Sequence, residues 1–148
     1  FNPSNPAVFK ENLAGFERLL AHNRKANIVW AHAGTDPLLT RTPQIQRDLL
    51  GRHPNLHMSL RPGPGGPHPT FALDPQSALK PEWLALLRDH SDRFVLGSDQ
   101  FHPPYPGARR TPAEAYDNLR RLIDQLPPEV GRAIAHGNAE RLYGLAGR

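Results

Sequence analysis

The sequence predicts an α/β protein built around a small parallel sheet, and three observations carry that prediction. Two short apolar runs, at 27–32 and 93–98, read as buried strands. A third run, at 55–61, alternates apolar and polar residues as a strand with two unlike faces does. Segments of helical periodicity separate the three, so the strands are joined by crossovers, which makes them parallel and the crossovers right-handed. Three strands cannot close a barrel. They form a small open sheet or part of something larger.

Asn5-Pro6 supplies an N-cap and a first-turn proline. Phe9, Leu13, Phe16 and Leu20 then mark one face of a helix that runs to about Arg24. After the strand at 27–32, Thr42-Pro43 opens a second helix with Ile45 and Leu49 on one face, and Gly51 with Pro54 signals its end. In the strand at 55–61, Leu56, Met58 and Leu60 share one side, and His57, Ser59 and Arg61 the other. The Pro/Gly-rich stretch 62–79 is a loop that either shapes or lids a site or is a floppy insertion. A third helix starts at Pro81 with Trp83, Leu84 and Leu87 inward, ahead of the strand at 93–98. Thr111-Pro112-Ala113-Glu114 reads as a capping box launching a helix with Leu119, Leu122, Ile123 and Leu126 inward. Pro127-Pro128 breaks it, a short helix runs to Ile134, and Asn138 is expected to cap a last one. No repeat or internal boundary appears, so residues 1–148 read as one domain.

Composition narrows the function classes. Cysteine is absent, which excludes disulfides and cysteine-based metal or nucleophile sites. No run of about 18 apolar residues exists to span a membrane. A cytoplasmic location is the expectation, with the periplasm as alternative, because Phe1 in place of Met implies an upstream segment. The net charge of +4 comes from 15 Arg and 3 Lys against 14 Asp and Glu. These charges are scattered and interleaved, and Arg109-Arg110 and Arg120-Arg121 are the only adjacent arginines. A nucleic-acid surface would cluster them among aromatics. A solvated surface is the better reading, and a small molecule the expected partner.

The chemistry-bearing residues fall at strand ends. His32 closes the first apolar run ahead of Ala33-Gly34, and Asp99 follows Gly97-Ser98 at the end of the last. In α/β proteins the C-terminal edge of the sheet is where ligands sit. Such an aspartate beside a cation stays ionised and can carry a proton, and a histidine can hydrogen-bond water or polarise a carbonyl. The bland alternatives are a turn or N-cap role for Asp99 and a structural role for His32. Arg61, at the tip of the middle strand, suits a substrate carboxylate, and a barrel-lining or surface salt bridge serves it equally well. Gln100 and His102 follow Asp99 into a loop where they are candidates for substrate contact. His22, His53, His90 and His136 lie at helix ends or exposed helical positions, where interaction with terminal carbonyls is expected. His68 has no assignment.

The segments 28–34, 53–60, 92–99 and 137–142 closely resemble, in order and spacing, the amidohydrolase-related family of metal-dependent TIM-barrel hydrolases and decarboxylases. The resemblance runs from about Asn12 to Leu145. It corresponds to the C-terminal part of the family's barrel, the last three strands of a (β/α)8 fold. It implies a divalent metal, zinc, with Asp99 as metal ligand and general acid/base and His32 contacting the metal's water or the substrate. The family's His-x-His on strand one, and its donors on strands four and five, have no counterpart here. A catalytic zinc site usually takes three protein ligands. The resemblance therefore implies a metal-dependent hydrolase whose remaining ligands lie elsewhere, inactive as this chain alone. Non-oxidative decarboxylation is the alternative reaction, and a non-catalytic small-molecule binding domain the alternative role. Exposed strand edges in a partial barrel imply a homo-oligomer or association with the missing barrel half.

Overall fold

The computed structural model describes residues 6–34, 39–61, 65–99 and 112–145. Its elements alternate as predicted: α1 (Pro6–His22), β1 (Ile28–Trp30), α2 (Pro43–Arg52), β2 (Leu56–Leu60), α3 (Pro81–Asp89) and β3 (Phe94–Leu96). Helices α4 (Pro112–Ile123), α5 (Pro128–Arg132) and α6 (Asn138–Tyr143) follow. The three strands form one parallel sheet in the order β1-β2-β3, with Ile28 opposite Leu56 and Met58 opposite Phe94. The expected N-cap at Asn5 and the Thr111 end of the capping box lie outside the described residues.

Alternation in β2 sets the layers. Leu56, Met58 and Leu60 are buried in one core with Phe94, Leu49 and Leu50 of α2, and Leu86 and Leu87 of α3. Thr42 caps α2, its hydroxyl accepting from the Ile45 N–H with Pro43 in the first turn. On the opposite face of β2, His57 is buried as well and Ser59 half-buried. Trp30 stacks on Phe16 at 4.3 Å between ring centroids, which ties α1 to β1.

Side chains fasten the N-terminal ends of the strands. The Asn55 amide donates to the carbonyls of Leu20 and Ala26 at 3.0 and 3.2 Å. Arg93 donates through Nε to the Leu56 carbonyl at 2.8 Å and through Nη2 to the His53 carbonyl at 2.7 Å. Asn138 donates to the carbonyls of Ser91 and Phe94, both at 2.7 Å. Each bond satisfies a backbone carbonyl beside the start of a strand. The C-terminal ends hold the polar side chains considered below.

Four expectations are corrected. The strands are shorter than the apolar runs: Ser91–Arg93 is a 3₁₀ turn, and His32 sits in a left-handed turn beyond β1. Asn138 caps nothing, because α5 continues through a π turn (Ala133–Gly137) into α6 and Asn138 is helical inside it. His53 is buried, and its Nε2 meets Glu17 Oε1 at 3.1 Å rather than a helix-end carbonyl. That bond, with Arg52 alongside at 2.7 Å, holds the Glu17 carboxyl below its usual pKa. His136 likewise pairs with Glu140 within the helix, at 3.2 Å.

The Pro/Gly-rich loop is not floppy over 65–80. Asp74 accepts from the N–H groups of Gln76 and Ala78, Trp83 Nε1 donates to the Pro69 carbonyl, and Gln125 bridges the Leu79 N–H and the Ser77 carbonyl. Gly65 and Gly66 are required there. A Cβ on Gly65 would fall 1.6 Å from the Asp74 carbonyl oxygen, and one on Gly66 2.6 Å from the Phe71 ring.

Candidate functional site

Beyond β1 the chain turns through three successive left-handed residues: His32 (φ 55°), Ala33 (φ 50°) and Gly34 (φ 69°). Gly34 faces Trp30 so closely that a Cβ would lie 2.3 Å from the indole ring, so only glycine completes this turn. His32 is a non-glycine residue in a conformation that costs of order 1 kcal/mol. Its backbone N–H donates to Ser59 Oγ at 3.0 Å, which helps hold the turn. Ser59 in turn fits because Gly97 is bare: a Cβ there would stand 3.1 Å from Ser59 Oγ. Gly97 donates its N–H to the Leu60 carbonyl at 2.8 Å, prolonging the β2–β3 pairing by one step. Two residues on, Asp99 is again left-handed, at φ 50°. The two candidate chemical groups are thus both set on strained backbone at the same sheet edge, a placement typical of functional sites.

The three described candidates meet. Arg61 Nη1 lies 2.8 Å from Asp99 Oδ2, and His32 Nε2 lies 3.6 Å from Asp99 Oδ1. Their side chains are each about one-third exposed (33 % for His32, 29 % for Asp99, 36 % for Arg61), accessible to a small molecule yet anchored. Gln100 and His102 lie outside the described residues. Sequence reasoning missed Ser59 as the residue beneath His32. The signal was present, since Ser59 shares the polar face of its strand with Arg61, two residues away.

His57 occupies that same face but not the same place. It stands four residues before Arg61, roughly 13 Å along the strand. The charges it senses are Arg93, Arg141 and Asp92, at the start of β3 and on α6. Its Nδ1 has no hydrogen-bond partner among the described residues. Burial, and after it Arg93 and Arg141, lower its pKa from 6.5 to about 4 against the opposing pull of Asp92. In the unfolded chain His57 takes up a proton below about pH 6.5, and in the folded chain only below about 4. Unfolding between those values takes up a proton, so this contribution is complete above pH 6.5 and is lost as pH falls toward 4. His90, lowered chiefly by burial, acts in the same direction. Urea melts across this range should show His57 alone contributing about 2–3 kcal/mol. His57→Leu should flatten the slope, and an unchanged slope would show that His57 does not carry it.

The donor types at the rim suit a divalent cation: a hard carboxylate oxygen from Asp99 and a borderline imidazole nitrogen from His32. Among the described residues no group of three or more His, Cys, Asp or Glu side chains is placed to hold a metal ion. Asp99 and His32 therefore fit one edge of a metal site, with further donors required. No helix among the described residues is long and apolar enough to cross a membrane. No curated protein and no solved structure matches the chain. A family model described as Amidohydrolase matches residues 4–145, nearly the whole length, and covers every strand and every described rim residue: the chain belongs to the amidohydrolase family.

Proposed function

We propose that this chain supplies the C-terminal rim of a metal-dependent hydrolase site. The observation that carries this reading is the meeting of Asp99, His32 and Arg61 at the C-terminal edge of a parallel sheet, in a chain of this family. Amidohydrolases are TIM-barrel proteins, generally enzymes of hydrolase or decarboxylase type, and typically bind divalent metals. The present strands take the place of the last three of eight, and the remaining metal donors come from barrel strands outside this chain. Those strands, or a second copy of the chain, are the partners expected at the open edges of β1 and β3.

Asp99 would hold the metal, with zinc the expected ion. When bound, the metal supplies Lewis-acid polarisation of the scissile group. Asp99 takes a proton from the attacking water and returns it to the leaving group. His32, beside it, hydrogen-bonds the water or the substrate carbonyl. Its backbone is held by the left-handed turn and by the N–H donated to Ser59 Oγ beneath. Arg61, with Gln100 and His102, contacts the substrate.

Elemental analysis of the full-length protein, alongside turnover on a panel of amides, esters and lactones, tests this reading. Bound zinc or another divalent metal and metal-dependent hydrolysis are expected. Carbon dioxide release from carboxylic acids without hydrolysis would assign decarboxylation. Absence of both metal and turnover would reduce the rim to a binding surface.

A further inference from the structure

One side chain on the middle strand stands between the two outer arms of the rim. Ser59 is half-buried on β2, opposite Val95 in the register and two residues before Arg61 on the same face. Its Oγ accepts the His32 N–H at 3.0 Å, across 27 residues of sequence. The turn held this way runs left-handed through His32 (φ 55°, ψ 29°) and Ala33 (φ 50°, ψ 33°), a backbone that both residues disfavour. On the other side, a Cβ on Gly97 would fall 3.1 Å from the same Oγ and 3.2 Å from Ser59 Cβ. Gly97 is not itself left-handed, so no backbone conformation calls for glycine there. What its bareness leaves is room for the hydroxyl. Asp99 follows two residues later, on a segment that the Gly97 N–H ties to the Leu60 carbonyl at 2.8 Å. The arm carrying His32 and the arm carrying Asp99 are therefore both gauged from one oxygen atom. Their side chains end 3.6 Å apart, Nε2 to Oδ1, just beyond a hydrogen bond. At such a spacing a misplacement of about 0.5 Å decides whether two groups act together.

We propose that Ser59 is the positioning residue of this rim: its hydroxyl sets the reach of His32 toward Asp99, and Gly97 is bare to let it do so. The inference rests on the reading of the rim as the reactive site. Ser59 acts through the backbone of His32 and touches no substrate.

Three measurements on the full-length protein test this. Hydrogen exchange at the His32 amide should quicken about three- to tenfold in Ser59→Ala, the worth of one neutral hydrogen bond, while the Gly97 amide keeps its protection. Ser59→Cys fills the space with a poor acceptor and should behave as Ala does, whereas Ser59→Thr keeps the hydroxyl and should restore the wild-type rate. Gly97→Ala, one strand away, should quicken the same His32 amide by crowding the hydroxyl off it. Unchanged exchange there removes the part assigned to Gly97. The second measurement reads the imidazole itself. Asp99→Asn should shift the His32 ring resonances at fixed pH, and in a Ser59→Ala background that response should fall by at least half. Third, kcat in Ser59→Ala should drop about tenfold with KM nearly unchanged, as a displaced reactive group requires. Rescue by Ser59→Cys would show packing alone and overturn the proposal, as would a full His32 response to Asp99→Asn in Ser59→Ala. A wild-type protein without turnover ends the catalytic reading of the rim but not the positioning by Ser59, which the exchange rates and ring resonances decide.

Discussion

Asp99→Asn in the full-length protein is expected to lower turnover by about a hundredfold or more. The amide has no proton-accepting oxygen of useful basicity and no negative charge for a cation, so both functions of the carboxylate go together. The substitution is close to isosteric. It is also neutral for the backbone, because Asn tolerates the left-handed region as well as Asp does, and Asp99 stands at φ 50°. Loss of the partly exposed pair with Arg61 costs at most about 1 kcal/mol. Thermal melts should therefore superimpose closely while turnover and metal content fall. His32→Asn, chosen for the same left-handed tolerance, should lower turnover while leaving metal occupancy largely intact. A His32 variant that lost its metal would make that residue a ligand. Unchanged turnover in Asp99→Asn would remove the site from this rim.

Phe94→Ala is expected to cost about 3–5 kcal/mol of stability. Phe94 is fully buried on β3, in one core with Met58, Leu86 and Leu87. Its backbone carbonyl also accepts from Asn138. Removing the ring opens a cavity where strand, α3 and the C-terminal helices meet, and neighbours fastened by their own hydrogen bonds cannot collapse into it. Marginal stability of the usual 5–15 kcal/mol makes this a large fraction of the total. Chemical denaturation should show the midpoint fall sharply, with Phe94→Leu intermediate. Leu19→Ala, at a residue 55 % exposed, should stay within about 0.5 kcal/mol of wild type. Equal effects at the two positions would show that β3 does not lie in the core.

Much of the architecture was legible because it is written in local periodicity. The alternation Leu56–Leu60 marked a strand with two unlike faces, and Thr42-Pro43 marked a helix start, because both signals act within a few residues. The rim was legible for a related reason: a polar residue that ends an apolar run must lie at a sheet edge. What escaped depends on partners far away in sequence. Asn138 resembles a cap locally, but the carbonyls it serves are 47 and 44 residues away, at Ser91 and Phe94. His53 looks like a helix-end residue until Glu17, 36 residues earlier, packs against it. The order of 65–80 likewise comes from Trp83 and Gln125, which composition cannot connect to it. Ser59 escaped because its partner is the backbone of a turn rather than a side chain.

The π turn at Ala133–Gly137 has a consequence for angular phase. Val130 and Ile134 bury themselves in the core, and Asn138 must reach the start of β3 from the same side. Eight residues of regular helix advance about 100° each, which leaves Asn138 roughly 80° round from Val130. The wider turn, closed by the Asn138 N–H donating to the Ala133 carbonyl, advances less per residue and takes up that offset. The helix thus works as a phase corrector, delivering one apolar face and one amide to a single line. Deleting one residue within 133–137 should be absorbed as regular helix, since seven residues at about 100° each leave Asn138 only about 20° from the line of Val130, whereas inserting one would rotate everything beyond it out of step with the sheet.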